Sequence, residues 1–419
     1  MILRRPVLLV FVAAIIGAPV SIWPDGRTVS ARERSTAATG TTAVQQTVAE
    51  DVFDDTRLHD VRLFINSKDL AILRDRYREN INTPADIQID GTRVRNVAVR
   101  SRGGGSRNPT KMGLRIDFNF YTASQRFRGL EALVLDNLWQ DPALIREALT
   151  MKIFRRMGEP APRESFCRLF LNNQYQGLYA LVEEIDGDFV ERETGEAGAH
   201  VFEYHWNYYF FGDDLGPDLA AYKPLFEPRT HETESDEELY GPIRDLFHNV
   251  NEPDDAVWLD VVGQRLDLPQ FMRMLGIEAF VGENDGLLGY AGMNNFYIFR
   301  LPGTARHRVM PWDRDLSFTF DTSSSQRGLE EHVLFRRAYN NLELRNVYFD
   351  AILAAAQIAT EGNWLEGEID RLAAQIDAAA REDTRKQYTT QDVVDGLDSL
   401  RHIARVRPQF LIDEIGRLR

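Results

Sequence analysis

Near residue 235 the spacing of apolar residues changes, and that change bounds the folds open to this chain. Before it, short runs alternate apolar and polar residues between turn formers, which is the two-residue period of strands. After it, long segments repeat apolar residues every three or four positions, the period of amphipathic helices. The spacing predicts strands over 59–66, 87–90, 94–100 and 114–120, with Asp90-Gly91 as a hairpin turn. In the last of these, Leu114, Ile116, Phe118 and Phe120 fall on one face. A helix capped by Ser67 is expected to run to about Asn80, and another over 141–157 opens on Asp141-Pro142 and stops at Gly158. Runs 167–171 and 178–185 flank a second hairpin. From there the expected helices are 236–249, 254–266, 269–282 and several between 330 and 418, interrupted by short strands at 295–301 and 308–311. The pattern is that of an α+β protein: a strand-rich first lobe, about 57–186, joined to a helical second lobe, about 187–419, with a cleft between.

The N-terminus follows neither pattern. Arg4 and Arg5 precede an apolar run over 7–20, and a polar stretch with a possible cleavage zone at Val29-Ser30-Ala31 follows. That layout predicts a signal peptide over 1–31. Residues 32–56, rich in Ser, Thr, Ala and Gly, read as a flexible linker. No later stretch is apolar for long enough to span a bilayer. The expected destination is secreted or cell-envelope, with no stable membrane insertion after cleavage. Loss of 1–31 would move the formal charge from −15 to −17, which opposes binding to nucleic acid. Cys167 is the lone cysteine, so no intrachain disulfide can form, and its apolar surroundings predict an inert buried thiol.

The sequence holds no Gly-x4-Gly-Lys-Ser/Thr phosphate loop, no His-Glu-x-x-His and no Gly-x-Ser-x-Gly. Four clusters could carry chemistry. In the first, Arg100-Ser101-Arg102-Gly103-Gly104-Gly105-Ser106, with Lys111 and Arg115, offers backbone amides and cations to an oxyanion, or is a mobile hairpin with solvated basic residues. In the second, Glu147 on the 141–157 helix could hold Lys111 toward phosphate, although periodicity alone favours a surface position. In the third, Glu283-Asn284-Asp285-Gly286 follows an apolar helix, as a base or cation ligand or as a plain turn. In the fourth, Asn294-Asn295 and Pro311-Trp312-Asp313-Arg314-Asp315 supply hard oxygen ligands for magnesium or manganese. Asp313 and Asp315 face one side if the segment is extended, and their apolar neighbours argue against simple solvent-facing loops. Lysine, helix glutamate, loop aspartate, asparagine and metal-type aspartate is the order of parts in a two-lobed protein kinase, without the usual His-Arg-Asp and Asp-Phe-Gly.

These motifs, with Asp141-Pro142-Ala143-Leu144-Ile145-Arg146-Glu147, Pro160-Ala161-Pro162-Arg163 and Gly177-Leu178-Tyr179-Ala180-Leu181-Val182-Glu183, resemble the CotH family, named for a spore-coat protein and similar to atypical secreted protein kinases. The resemblance runs from about Asp60 to Phe320. It implies an atypical protein-kinase-like fold over 57–419 that binds ATP with Mg2+ or Mn2+ and phosphorylates Ser or Thr of a protein at the cell surface or exterior. By position it assigns Asp285 as the catalytic base, Lys111 to phosphate, and Glu183 near the adenine-side connection between lobes, while the cluster readings above add Arg100 and Arg102 on the nucleotide side and Glu147 beside Lys111. Asn295 and Asp313 would hold metal, with Asp315 assisting. The glycine-rich segment departs from the family pattern, reading Arg-Gly-Gly-Gly-Ser where Arg-Gly-Asn-Ser-Ser is expected. Two other readings stay open: a catalytically degenerate surface or coat binding protein, with the aromatic segment 205–211 as its partner surface, and a metal-dependent phosphohydrolase built on the same acids.

Overall fold

A computed structural model describes Ala49, residues 51–207 and residues 209–419. The expected signal peptide and most of the expected linker lie outside the described residues. The packed chain reaches back beyond Leu58, because Val52 and Phe53 are buried and Ser165 Oγ donates to Val52 O at 2.9 Å.

Seven strands close a barrel in the order β1 (Leu58–Phe64), β2 (Thr83–Ile89), β3 (Thr92–Arg102), β4 (Gly113–Asp117), β5 (Ala132–Asp136), β7 (Gln174–Glu183) and β6 (Glu164–Leu171). Every neighbouring pair is antiparallel except β1 and β6, whose parallel pairing shuts the barrel. Asp90 and Gly91 both take positive φ, 46° and 84°, so the β2–β3 turn curls with the twist of its strands. Asn172 and Asn173 do the same between β6 and β7. Alternate residues point inward: Val61, Leu63, Ile87, Val99, Leu114, Ile116, Leu133, Leu135, Cys167, Leu169 and Leu181 form the barrel core. The inward row of β4 stops at Phe118, and Phe120 is exposed because the strand ends at Asp117.

Helix α1 (Ser67–Asp75) is capped by Asn66, not Ser67: Asn66 Oδ1 accepts from the amides of Lys68 and Asp69 at 3.1 and 3.0 Å. Helix α2 (Arg146–Arg156) begins five residues later than Asp141-Pro142, since Asp141 forms a turn of its own, accepting from the amides of Ala143 and Arg146 at 2.7 Å. A short helix, α3 (Gly187–Thr194), leads to a second sheet ordered β11 (His307–Pro311), β10 (Phe296–Arg300), β8 (His200–Tyr204) and β9 (Phe226–Pro228). The helices α4 (Asp236–Val250), α5 (Asp255–Gly263), α6 (Leu268–Val281), α7 (Val333–Asn340), α8 (Leu342–Thr360), α9 (Trp364–Glu382) and α10 (Thr390–Leu418) share a second core with the outer faces of β5, β6 and β7. The result is a mixed α+β fold. Among the described residues, no helix is long and apolar enough to cross a membrane.

Candidate active site

Arg100 and Arg102 alternate along β3 with buried Val99 and Ser101, so both arginines leave the barrel on its outer face. Register sets Arg100 opposite Arg115 and Arg102 opposite Gly113. Because Leu114 pairs with Leu135, Gly113 comes next to Asp136 at the end of β5. A Cβ on Gly113 would lie 3.7 Å from Arg102 Cγ and 3.2 Å from the Arg102 carbonyl oxygen. The bare glycine leaves Arg102 room to reach Asp136 at 3.7 Å while lying over the Trp312 ring at 5.3 Å. Arg100 and Arg115 would repel across the sheet, but Glu184 accepts from Arg115 Nε at 3.1 Å and from Arg229 at 2.5 Å.

The other wall comes from α6 and the second sheet. Gly282, at φ 63°, ends α6 and turns the chain into Glu283-Asn284-Asp285. The Asp285 amide donates to Glu283 Oε1 at 2.7 Å, and Asn295 Nδ2 donates to Asp285 Oδ2 at 3.1 Å. Asn295 precedes β10 and Trp312 follows β11, and because Phe296 pairs with Pro311 those two ends meet. Trp312 N donates to Asn295 O at 3.1 Å. Arg314 locks the junction: wholly buried, it donates to the carbonyls of Asn295 and Trp312 at 2.7 and 2.9 Å and is ion-paired with Glu278 of α6. Asn295 and Asp313 both sit in the left-handed region, at φ 52° and 51°. Such backbone costs about 1–3 kcal/mol per residue and persists only where surrounding contacts fix it, as Arg314 does here.

The acids gathered between these walls raise one another. Burial pushes Asp313 up to about 6, with Asp136 adding to the rise and Arg102 opposing it. Asp315 stands well above the usual carboxylate range through burial and then the Asp313 charge. Asp285 is raised by burial, while the Asn294 and Asn295 side chains hold it back. The backbone at Asp313 is not extended, yet the two aspartates still feel each other's charge.

Two expected partners are not together. Lys111 Nζ is bound to Asp383 at 2.7 Å, and Glu147 stands among acids instead of beside it. Burial drives Glu147 well above its ordinary range, helped by Glu164, Asp313, Asp136 and Asp315. Glu147 is buried on the inner side of α2, so the surface position favoured by periodicity does not hold. The Glu183 carboxylate is taken by Arg163, at 3.1 Å from the amide and 2.6 Å from the guanidinium, and by Arg192. Glu184 faces the opposite way, toward Arg115 and Arg229. Sequence reasoning passed over Asp136, Glu164, Glu184, Arg229 and Asp383. Asp136 had a signal: it ends the apolar run Ala132–Asp136 two positions after Val134, on the same outer face. Of the aromatic segment, Phe210 is buried in the helical core while Trp206 and Tyr209 are exposed.

Fold and site define a barrel-and-helix α+β protein with a half-buried acidic centre flanked by arginines. The CotH kinase protein family matches residues 99–411, and the chain belongs to that family. Among relatives, it is 23% identical over 262 residues to "Inner spore coat protein H" of Bacillus subtilis (strain 168), covering 62% of this chain and 69% of that protein. It is 23% identical over 153 residues to "Spore coat protein homolog 1" of Rhizopus delemar, covering 35% of this chain and 24% of that one. Among solved structures, the Helicobacter pylori proinflammatory kinase CtkA overlays 73% of this chain and 93% of its own, at 11% identity and a TM-score of 0.27.

Proposed function

We propose that this protein is an exported, two-lobed atypical kinase that transfers the ATP γ-phosphate to Ser or Thr of a protein at the cell surface or exterior, using Mg2+ or Mn2+. The observation that carries the reading is the meeting of Asp285, Asn295 and Asp313 across the Arg314 junction. The donor set suits a hard divalent cation. Asp313 and Asp315 are held above their ordinary range by burial and neighbouring acids, and Asn295 spends its amide nitrogen on Asp285, leaving its oxygen for another partner. A bound divalent metal would supply neutralising charge to the phosphates. Asn295 and Asp313 would hold it, with Asp315 and Glu147 adding negative charge nearby. Arg102 and Arg100 would meet phosphate oxygens, since Lys111 is engaged by Asp383. Asp285 would take the proton of the acceptor hydroxyl, and its raised pKa brings it nearer the range of an effective base.

Coat-protein names among the relatives support a setting outside the cytoplasm. A second reading, a binding protein without catalysis, draws on the exposed Trp206 and Tyr209 rings, packed edge-on at 6.3 Å. Radiolabelled ATP with Mg2+ or Mn2+, given to wild type and Asp313→Ala, tests the kinase reading. Label transferred to protein by wild type alone supports it. Free phosphate without transfer would make the protein a phosphohydrolase, and no turnover of bound nucleotide would favour the binding protein.

A further inference from the structure

The carbonyls in the last turn of a helix have no partner farther along that helix, so something outside must match them. At the end of α6, Glu283 N donates to Glu278 O at 3.1 Å and Phe318 N donates to Val281 O at 2.6 Å. The two carbonyls between, of Ala279 and Phe280, accept from one side chain, Arg407 on α10, through Nη2 and Nε. The other arm of the same guanidinium, Nη1, donates to the carbonyls of Phe320, Asp321 and Ser323 at 3.3, 3.2 and 3.2 Å.

One buried fork therefore joins two stretches of backbone. Ala279 and Phe280 lead through Gly282 into Asp285, and Phe320–Ser323 follow Asp313 and Asp315. Arg407 is 1% exposed, and a cation is favoured at the negative end of a helix. Gly282 leaves it room: a Cβ there would lie 3.3 Å from Arg407 Cζ and Nη2. Arg314 already ties the start of the 313–323 segment to Glu278 of α6, and Arg407 ties its end to the same helix. A lysine keeps the charge, but its single nitrogen lacks the planar fork that spans both stretches.

We infer that Arg407 is a positioning residue for phosphate transfer, setting the spacing between Asp285 and the Asp313 metal site while bonding to neither. The inference rests on the kinase reading above. Asp313 and Asn295 keep their own anchor in Arg314, so loss of the Arg407 fork should displace Asp285 relative to a metal site that still binds nucleotide. A misplacement of roughly 1 Å can cost about 100-fold in rate. Glu414 supplies the comparison. It lies on the same helix and holds the same loop, accepting from Ser324 Oγ at 2.7 Å and Ser325 N at 2.8 Å, but a carboxylate cannot bond the α6 carbonyls.

The test is steady-state transfer from radiolabelled ATP, with Mg2+, to the full chain itself and to casein. Arg407→Lys should lower kcat about 10–100-fold while the KM for ATP stays within about twofold of wild type. Glu414→Gln should lower the melting temperature but keep kcat. Gly282→Asn is the second variant, informative even where Arg407→Lys does not fold, because Asn tolerates positive φ and its Cβ would press on the guanidinium. It should show the same loss in kcat at unchanged KM. With an active wild type, an unchanged kcat in Gly282→Asn or in folded Arg407→Lys would overturn the positioning role alone. So would a loss confined to KM, or an equal fall of kcat in Glu414→Gln. A wild type that transfers no phosphate would overturn the kinase reading and this inference together.

Discussion

Lys111 Nζ lies 2.7 Å from Asp383 Oδ2, with both side chains 1% exposed. Lys111 stands just before β4, and Asp383 caps the end of α9, so the pair fastens the barrel to the C-terminal helices. Asp383 also accepts from the amides of Leu178, Arg385 and Lys386 at 3.1, 2.8 and 3.1 Å. A Cβ on Gly177 would collide with the Asp383 carboxylate, and so β7 carries a glycine there, at φ 130°. Burial pulls the Lys111 ammonium below its ordinary pKa, and Asp383 opposes that pull. Lys111→Met should cost about 3–5 kcal/mol in urea unfolding, because it strands a buried carboxylate. Lys111→Met with Asp383→Asn should recover part of that loss. Simple addition of the two single losses would contradict a direct pair.

Cys167 points into the closed barrel and is fully buried. Burial raises its thiol pKa far above the ordinary value, which suppresses the reactive thiolate. In native protein the thiol should resist a thiol-specific reagent for hours at pH 8, then react fully and quickly in urea. Rapid labelling of the folded protein would mean that the barrel opens.

Glu164 is buried with both carboxylate oxygens unpartnered, and burial pushes it up to about 8, against the pull of Arg155. Between about pH 4.3, the unfolded value, and pH 8, the folded state holds a proton that the unfolded state has lost. Stability therefore falls as pH rises across that window. Glu164→Gln removes the effect. It should stabilise by more near pH 8.5 than at pH 5, because at high pH the wild type must bury a charge or take up a proton in order to fold and the glutamine does neither. Denaturation midpoints at several pH values decide this, and a gain larger at pH 5 would contradict it.

Local chemistry carried the parts of the fold that could be read from sequence. The Asp90-Gly91 hairpin rests on two residues that tolerate positive φ, and α6 on a long apolar period ended by Gly282. The burial of acids at Asp313 and Asp315 was also legible, because polar oxygens beside Trp312, Leu316 and Phe318 are costly unless used, whereas Asp285, after an apolar helix, read equally as a plain turn. The Lys111 partner was not. Asp383 lies 272 positions away on an ordinary helix end, and no local spacing points to it. The β5 strand was missed because a short apolar run such as Ala132–Asp136 reads equally as buried helix or strand. With it went Asp136, and with Asp136 the reason Arg102 sits where it does. The second sheet was only half visible, since β8 and β9 are short and separated by the aromatic segment.

We propose that Asp285 and Asp313 act at different moments: Asp313 would hold the metal–nucleotide before reaction, and Asp285 would receive the acceptor proton during it. A metal ligand stabilises the bound ground state, whereas a base contributes only in the transition state. The measurement pairs ATP affinity by calorimetry, in Mg2+ and in chelator, with phosphate transfer to protein, for wild type, Asp285→Asn and Asp313→Ala. Asp313→Ala should lose both metal-dependent ATP binding and transfer. Asp285→Asn should bind ATP nearly as wild type does while transfer falls about 10²–10⁴-fold. Near-wild-type transfer by Asp285→Asn, or metal-dependent ATP binding unchanged in Asp313→Ala, would contradict the account.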